Sequence, residues 1–530
     1  MREEVCKINI VHILNDSTLP KKGSRSGFSQ FQPGSEILKD PRVLIIGAGM
    51  TGILLAIRMM EEGIRDILIL EKKEDLGGTW RENIYPGVAC DIPAHMYTYS
   101  FEPNPEWKYR FARGDEIQAY FKKVSDKYRV TPLIHFKEAV VRAEFKDHKW
   151  HVRSSKGNEY IVDFLFSATG ILHHPAKPDI KGIDSFRGPI FHTAEWDRSV
   201  EMKHKRIGVI GTGSTAAQVI PELVHTEGTQ VYVFQRTPQW IANIPDKKYS
   251  EFARKILRIS PFLAKILYQI YTFAIEQTFS KAVIGKKLPN ALMTYICKRN
   301  LEKSVKDPEL KKKLTPNYRV GCKRVLVNET FYPAIQKPNA HLITEGIREI
   351  SSEGIVLNNG EEIKLDVIVL ATGFHPFNFM RPMELIGKDG ITIEEAWKKK
   401  VQCYRHMFIP GFPNFFLMLG PNTPIGNFSV IAMSEVQTNY LMKVLRDWRR
   451  GQFLEISAKK EAMERFNEYL KKGMKHTVWV GGCKSWYLDA DGDPAMWPYT
   501  WKQWTKEMSE PDYRDFELVP VVEFAESKSQ

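Results

Sequence analysis

The chain has 530 residues, 43% of them hydrophobic and 26% charged, with a formal net charge of +13. That length exceeds one ordinary hydrophobic core and predicts two or three domains, and the composition is ordinary for a soluble globular protein. Six scattered cysteines (Cys6, Cys90, Cys297, Cys322, Cys403, Cys483) include no Cys-x-x-Cys pair, which argues against a disulfide scaffold, a metal site or a dithiol redox centre and suits a reducing cytoplasm. No nucleic-acid motif accompanies the positive charge, so no nucleic-acid partner is expected. The opening MREEVCKINIVHIL is unlike a signal peptide, and no apolar run of about eighteen residues lacks charges, so no transmembrane span is expected.

In chain order, residues 1–40 read as a flexible leader rich in Ser, Gly, Pro and Lys, with the folded chain starting near Pro41. Val43-Leu44-Ile45-Ile46 is a buried strand running into Gly47-Ala48-Gly49-Met50-Thr51-Gly52 and a helix, and Ile67-Leu68-Ile69-Leu70 is a second strand ending at Glu71. A lone G-x-G-x-x-G is a weak signal. Here it stands between strand and helix, with an acid 24 positions beyond its first glycine. Gly47 permits the tight turn, Gly49 lets the backbone approach a pyrophosphate, and Gly52 lets helix and strand pack closely. The helix N-terminus offers amides to the phosphates, and Glu71 can accept hydrogen bonds from ribose hydroxyls.

The pattern returns at Ile207-Gly208-Val209-Ile210, followed by Gly211-Thr212-Gly213-Ser214-Thr215-Ala216, a helix, and the strand Val231-Tyr232-Val233-Phe234. Ala216 replaces the third glycine. After this second strand the acid is missing and Gln235-Arg236-Thr237 stands there instead. A carboxylate would repel a 2′-phosphate, whereas a guanidinium binds one, so this unit reads as an NADPH site. Two phrases, Ser167-Ala168-Thr169-Gly170 and Leu370-Ala371-Thr372-Gly373, each follow an apolar strand where the chain passes between domains.

The fold class is therefore α/β, with two Rossmann-like dinucleotide-binding domains. Residues 41–180 form the first part of one domain and 181–370 the second domain, which carries a helical insertion at about 249–315. Residues 371–530 return to the first domain and end the chain. In the insertion, Arg254, Lys255, Arg258 and Lys265 flank Ile256, Leu257, Phe262, Leu263, Ile266 and Leu267, a basic amphipathic arrangement. Two readings fit it: a helix packed on the body with a solvated basic face, or weak peripheral contact with a membrane.

Two dinucleotide sites of unlike charge imply an NADPH-reducible flavoenzyme without a cysteine pair, left to activate oxygen or reduce an outside acceptor. Phe186-Arg187-Gly188-Pro189-Ile190-Phe191-His192-Thr193-Ala194-Glu195-Trp196-Asp197 fits the F-x-G-x-x-x-H-x-x-x-W-(P/D) fingerprint of Baeyer–Villiger monooxygenases. Gly77-Gly78-Thr79-Trp80, continuing through Tyr85-Pro86-Gly87 to Cys90-Asp91, resembles that family's second signature. The resemblance runs from about residue 41 to about 500. Gly420-Pro421-Asn422 with Gly426-Asn427 resembles the hydroxyacetophenone and long-chain alkyl ketone subgroup.

The resemblance implies FAD and NADPH as cofactors, dioxygen and a ketone as substrates, and an ester or lactone as product, formed through a flavin C4a-peroxide. It implies that Gly78, Thr79, Trp80 and Tyr97 border the flavin, with Asp91 near its reactive face. Lys323 and Arg324 are similar to the family's Lys-Arg pair: Lys323 would join Arg236 and Thr237 at the 2′-phosphate, and Arg324 would be the catalytic arginine. His192 falls in the interdomain linker, and Trp486 matches a tryptophan that packs on the nicotinamide nucleotide. After Trp486, Leu488-Asp489-Ala490-Asp491-Gly492-Asp493-Pro494 departs from the Gly-Arg-Asn of relatives. The alternatives are an N- or S-oxygenating flavin monooxygenase, or an NADPH oxidase or reductase that inserts no oxygen.

Overall fold

The computed structural model describes residues 40–426, 428–482, 487–489, 492–493 and 495–521. Most of the proposed leader and the candidate Trp486 lie outside the described residues.

Short apolar runs bounded by glycine turns build two parallel sheets. Strand β1 (Val43–Ile46) is wholly buried and leads through the glycine turn into α1 (Met50–Glu61), and β2 (Ile67–Glu71) pairs beside it with Val43 opposite Ile67. Strands β3 (Ile134–Phe136) and β4 (Phe164–Ser167) extend this sheet on its two sides.

The second sheet begins at β5 (Ile190–His192); β6 (Arg206–Ile210) leads into α2 (Ser214–His225) and β7 (Gln230–Phe234). A helical segment then intervenes: α3 (Glu251–Ile259), α4 (Pro261–Ile275), α5 (Lys287–Ser304) and α6 (Pro308–Leu314). Strands β8 (Ala340–Ile343) and β9 (Val367–Leu370) complete the second sheet. The chain returns to the first sheet at β10 (Phe415–Leu417), and α7 (Val430–Arg449) packs on α1. The strand orders are β10-β4-β1-β2-β3 and β8-β7-β6-β9-β5, with every pairing parallel. Each β-turn-α unit thus directs its turn to the carboxyl end of its sheet, where open α/β sheets bind ligands.

The repeated Ala-Thr-Gly phrases have a structural meaning that the sequence does not state. A Cβ at Gly47 would stand 2.8 Å from the carbonyl oxygen of Ala168, and one at Gly211 only 2.4 Å from that of Ala371. Each phrase abuts the glycine turn of its own sheet, so the two crossings between sheets run beside the two candidate phosphate turns.

The helical segment has the expected solvated basic side chains and packs on the body through α4, but it also leaves apolar side chains exposed. Helix α3 buries none of its residues, and Phe252, Ile256 and Ile259, spaced along one stripe, are exposed. Helix α4 buries Ala264, Tyr268 and Thr272 on one side while Phe262, Ile266, Ile270 and Phe273 stand exposed on the other. Periodicity marks an apolar stripe but not which way the stripe faces. No helix among the described residues is long and apolar enough to cross a membrane.

One disulfide is nonetheless present, which falls short of a disulfide scaffold. Cys90, Cys297 and Cys403 are free and buried, and Cys322 is disulfide-bonded. Spacing detects only local pairs, whereas a disulfide depends on which distant loops the fold brings together.

Candidate active site

Both glycine turns open into one cavity of about 1650 Å³. In the first, Gly47 has φ +102° and Gly52 admits no side chain, because its Cβ would lie 2.0 Å from the Gly47 carbonyl oxygen. Gly49 is different: a Cβ there meets only Gly78, its Cα at 3.7 Å. No side chain caps α1 at Gly49 or α2 at Gly213, so the first-turn N–H groups of both helices remain for an anion. A Cβ at Gly213 would meet no atom within 4 Å, leaving the close approach that a pyrophosphate requires. Gly47, Gly49, Gly211, Thr212, Gly213, Ser214 and Thr215 all border the cavity. Gly52 and Ala216 do not line it; Ala216 is fully buried, and both serve helix packing.

Glu71 is buried at the end of β2, also on the cavity wall. One carboxylate oxygen accepts from the Ala48 amide at 2.8 Å and the other from the Lys73 amide at 2.9 Å. The acid therefore braces the first turn, and the remaining lone pairs of its oxygens are what a ribose could use.

Gly78, Thr79, Trp80 and Tyr97 border the same cavity. Gly78 has φ +53°, and the short helix Thr79–Glu82 follows it. The Trp80 indole N–H donates to the Tyr97 hydroxyl at 3.1 Å, with the rings edge-on at 78°. Burial holds the Tyr97 phenol well above its ordinary range, so it stays a neutral donor.

On the second unit, Arg236 is exposed at the cavity rim, Lys323 half-buried, and Thr237 beside them. The Thr237 carbonyl accepts from the Thr212 hydroxyl at 3.0 Å, tying this segment to the second turn. Lys323 places its ammonium 5.1 Å from the centre of the Tyr318 ring. Burial, and then the charge of Arg236, hold its pKa below the usual lysine value. Among the described residues no carboxylate pairs with either cation. Two cations held together without a counter-ion form an anion site, which fits a 2′-phosphate.

Asp91 and Arg324 meet on the cavity wall although 233 residues separate them. Arg324 donates to Asp91 through Nε at 2.9 Å and through Nη2 at 2.6 Å. The Arg324 side chain keeps 25% of its surface, and that surface faces the cavity. Burial opposes its charge, but the Asp91 carboxylate, then the Tyr487 phenol, push its pKa above the ordinary arginine value. The fork uses one edge of the guanidinium, leaving other N–H groups for Tyr487 and for whatever occupies the cavity.

Local folding explains how the pair is held. The Tyr85 hydroxyl donates to the Gln218 side-chain oxygen at 2.8 Å, and the Gln218 amide donates to the Ala89 carbonyl at 2.9 Å. Residues 85–91 are thereby clamped to α2. A Cβ at Gly87, where φ is +79°, would lie 2.7 Å from the Gln218 carbonyl oxygen, so this contact needs glycine. Arg324 precedes the strand Leu326–Val327, which pairs with Ile241–Ala242. Gln218 and Tyr487 had no signal in the sequence, since neither belongs to a motif and each acts on a distant partner.

His192 is fully buried outside the cavity. Its Nδ1 accepts from the Ala194 amide at 3.1 Å, and its ring packs edge-on against Phe374 at 5.5 Å. It supports the crossing after β9 and has no access to a reacting group. No cluster of three or more potential metal ligands occurs among the described residues.

A mixed α/β frame with two nucleotide turns and a shared cavity defines a dinucleotide-dependent oxidoreductase. The chain matches the flavin-binding monooxygenase-like family over residues 40–282 and 263–491, and it belongs to that family. It is 44% identical over 459 residues to an uncharacterised monooxygenase of Mycobacterium tuberculosis, covering 87% of this chain and 92% of that one. It is 38% identical over 488 residues to a Baeyer–Villiger monooxygenase of Pseudomonas aeruginosa, covering 90% and 92%. The crystal structure of OTEMO complexed with FAD and NADP superposes with a TM-score of 0.81 at 26% identity, covering 91% of this chain and 100% of that one. These relationships make it a flavoprotein monooxygenase of the Baeyer–Villiger type.

Proposed function

We propose that the protein uses FAD and NADPH to convert ketones into esters or lactones, with dioxygen as co-substrate. The observation that carries this reading is the Asp91–Arg324 pair on the wall of the cavity into which both glycine turns open. When bound, the flavin accepts hydride from NADPH and activates dioxygen.

This chain's residues supply binding, orientation and charge. The first turn and α1 would hold the FAD pyrophosphate, Glu71 its ribose, and Gly78, Thr79, Trp80 and Tyr97 the ring side. The second turn with Arg236, Thr237 and Lys323 would hold NADPH, to which the resemblance adds Trp486. Arg324 sets a fixed positive charge where oxygen must stay deprotonated to attack as a nucleophile, and where a ketone oxygen gains negative charge. Asp91 fixes the plane of that guanidinium. An electrophilic, heteroatom-oxidising site needs a proton retained on oxygen, which a neighbouring guanidinium disfavours.

We divide the chain into a flavin unit, 41–180 with 371–530, and a nicotinamide unit, 181–370. We also read the outward apolar helices of the insertion as a place of peripheral contact with a membrane. The test of the catalytic reading is to incubate the purified holoenzyme with NADPH and a panel of linear, cyclic and aryl ketones, then identify products by mass. Esters or lactones one oxygen heavier than the ketone support it. Heteroatom oxides alone, or hydrogen peroxide alone, overturn it.

A further inference from the structure

Fifteen large apolar side chains are exposed among the described residues, and eleven of them lie between Phe252 and Tyr295. The other four are scattered singly, as on any protein surface. The concentration is therefore specific to α3, α4 and the start of α5. Phe252 and Ile259 are each 73% exposed, Phe262 66%, Phe273 64% and Leu288 83%. Helix α4 is notable because its inward side already packs on the body through Ala264, Tyr268 and Thr272. Its outward stripe has no part in holding the fold, and a helix that is apolar on both sides is ordinarily buried on both.

The charge around these stripes identifies what covers them. Residues 251–304 contain ten basic and three acidic side chains, a net of +7. Arg254 and Arg258 are engaged within the protein, by Glu251 and by Glu106 with Glu251. Lys255, Lys265, Lys286 and Lys287 are exposed and make no ion pair among the described residues. Apolar stripes flanked by uncompensated lysines match a bilayer surface that is apolar below its headgroups and negative at them. A second copy of this chain fits less well, since a two-fold contact would set this positive surface against itself.

We infer that α3, α4 and the start of α5 seat the enzyme in the plane of an anionic lipid bilayer, the apolar stripes entering the acyl boundary and the free lysines meeting lipid phosphates. This rests on the reading of the insertion as a peripheral membrane contact and specifies its lipid and its residues. The enzyme so placed draws on ketones dissolved in the bilayer, which are apolar and poorly soluble in water.

The test uses the full-length, FAD-loaded protein and vesicles of phosphatidylcholine, alone or mixed with phosphatidylglycerol. Flavin content and melting temperature are checked for every variant, and all changed positions are exposed. The wild type is expected to co-sediment with the mixed vesicles and to be released by salt. The variant Lys255→Gln/Lys265→Gln should lose roughly tenfold or more in affinity for them, at the surface attraction of a basic side chain. The variant Phe262→Ser/Ile270→Ser should lose sedimentation altogether. Absence of binding to either vesicle at low salt overturns both the membrane contact and the anionic seat. Equal, salt-insensitive binding to both vesicles, untouched by the lysine changes, leaves the contact standing and overturns the anionic seat. A concentration-dependent dimer abolished by the Phe262/Ile270 changes, without vesicle binding, assigns the face to a second copy and overturns the inference.

Discussion

The backbone of Gly47 runs so close to Ala168 that a Cβ at Gly47 would stand 2.8 Å from the Ala168 carbonyl oxygen. The first glycine turn is thus wedged against the crossing that leaves β4, and Gly211 repeats the arrangement against Ala371. Glycines of these turns accordingly fall into two kinds, those the protein needs and those a ligand needs.

Alanine substitution separates them. Gly52→Ala would drive a Cβ to 2.0 Å from the Gly47 carbonyl oxygen, so the turn must open, and flavin content and melting temperature should both fall. Gly213→Ala meets no atom within 4 Å, and its φ of −76° suits alanine. Its melting temperature should match the wild type, while the KM for NADPH rises roughly ten- to hundredfold, as expected for about 1–3 kcal/mol of overpacking against a ligand. Steady-state kinetics beside thermal melts decide this; an unchanged KM would mean that no pyrophosphate sits at Gly213.

Cofactor choice rests on Arg236 and Lys323. Arg236→Ala should raise the KM for NADPH roughly ten- to hundredfold, the loss of one charge-assisted hydrogen bond, and leave the KM for NADH nearly unchanged. Lys323→Gln should act in the same direction, since its ammonium shares the site. Retention of full NADPH preference in Arg236→Ala would put the 2′-phosphate elsewhere.

Glu435 gives a prediction about pH. It lies on α7, is 8% exposed, and accepts from the Ser100 amide at 2.8 Å. Burial raises its pKa to about 7. Because the folded pKa exceeds the unfolded one, the folded state holds the proton longer, and this group's contribution to stability declines as pH rises from about 4.5 to above 7. Glu435→Gln keeps an acceptor for Ser100 and removes the buried charge. It should therefore be more stable than wild type at pH 8 by roughly 2–4 kcal/mol, with the gain vanishing towards pH 4. Urea unfolding across that range tests the sign; a gain that does not depend on pH removes the assignment.

The two sheets were legible because each begins with a buried strand, a glycine turn and a helix, a local pattern that needs no distant partner. The second unit's missing acid was equally local, and so was Arg236. What sequence could not supply was anything joining remote segments: Gln218 clamped to Ala89, Tyr487 against Arg324, Cys322 in a disulfide. Even the Asp91–Arg324 pair came only through family resemblance, since nothing in either segment names the other. The insertion shows a further limit. Its amphipathic period was plain, but the direction of the apolar stripe depends on what the body offers to pack against, and α4 meets the body with its Ala264–Tyr268–Thr272 side.

Arg324 carries the sharpest test, because its proposed role separates electron input from oxygen insertion. Its fork to Asp91 fixes the guanidinium without using all of its N–H groups, so charge and orientation are both present before any substrate arrives. Arg324→Ala should retain the 2′-phosphate site, which is built from other residues, while ester formation falls roughly 10²–10³-fold, the usual loss for one preorganised electrostatic contact. The same change strands the Asp91 carboxylate, and an unpaired charge in a part-buried site can itself destabilise the protein. The double variant Asp91→Asn/Arg324→Ala removes that complication, and Arg324→Lys keeps charge while losing the planar fork. The lysine form should therefore recover only part of the ester yield, and the double variant should be as deficient as the alanine form while binding flavin normally. The measurement is ester formed per NADPH consumed, with flavin content determined for each protein. NADPH consumption that persists with loss of ester, appearing instead as hydrogen peroxide, is the expected signature. Near wild-type coupling in either alanine form would make Arg324 a structural cation and leave oxygen insertion without its proposed charge.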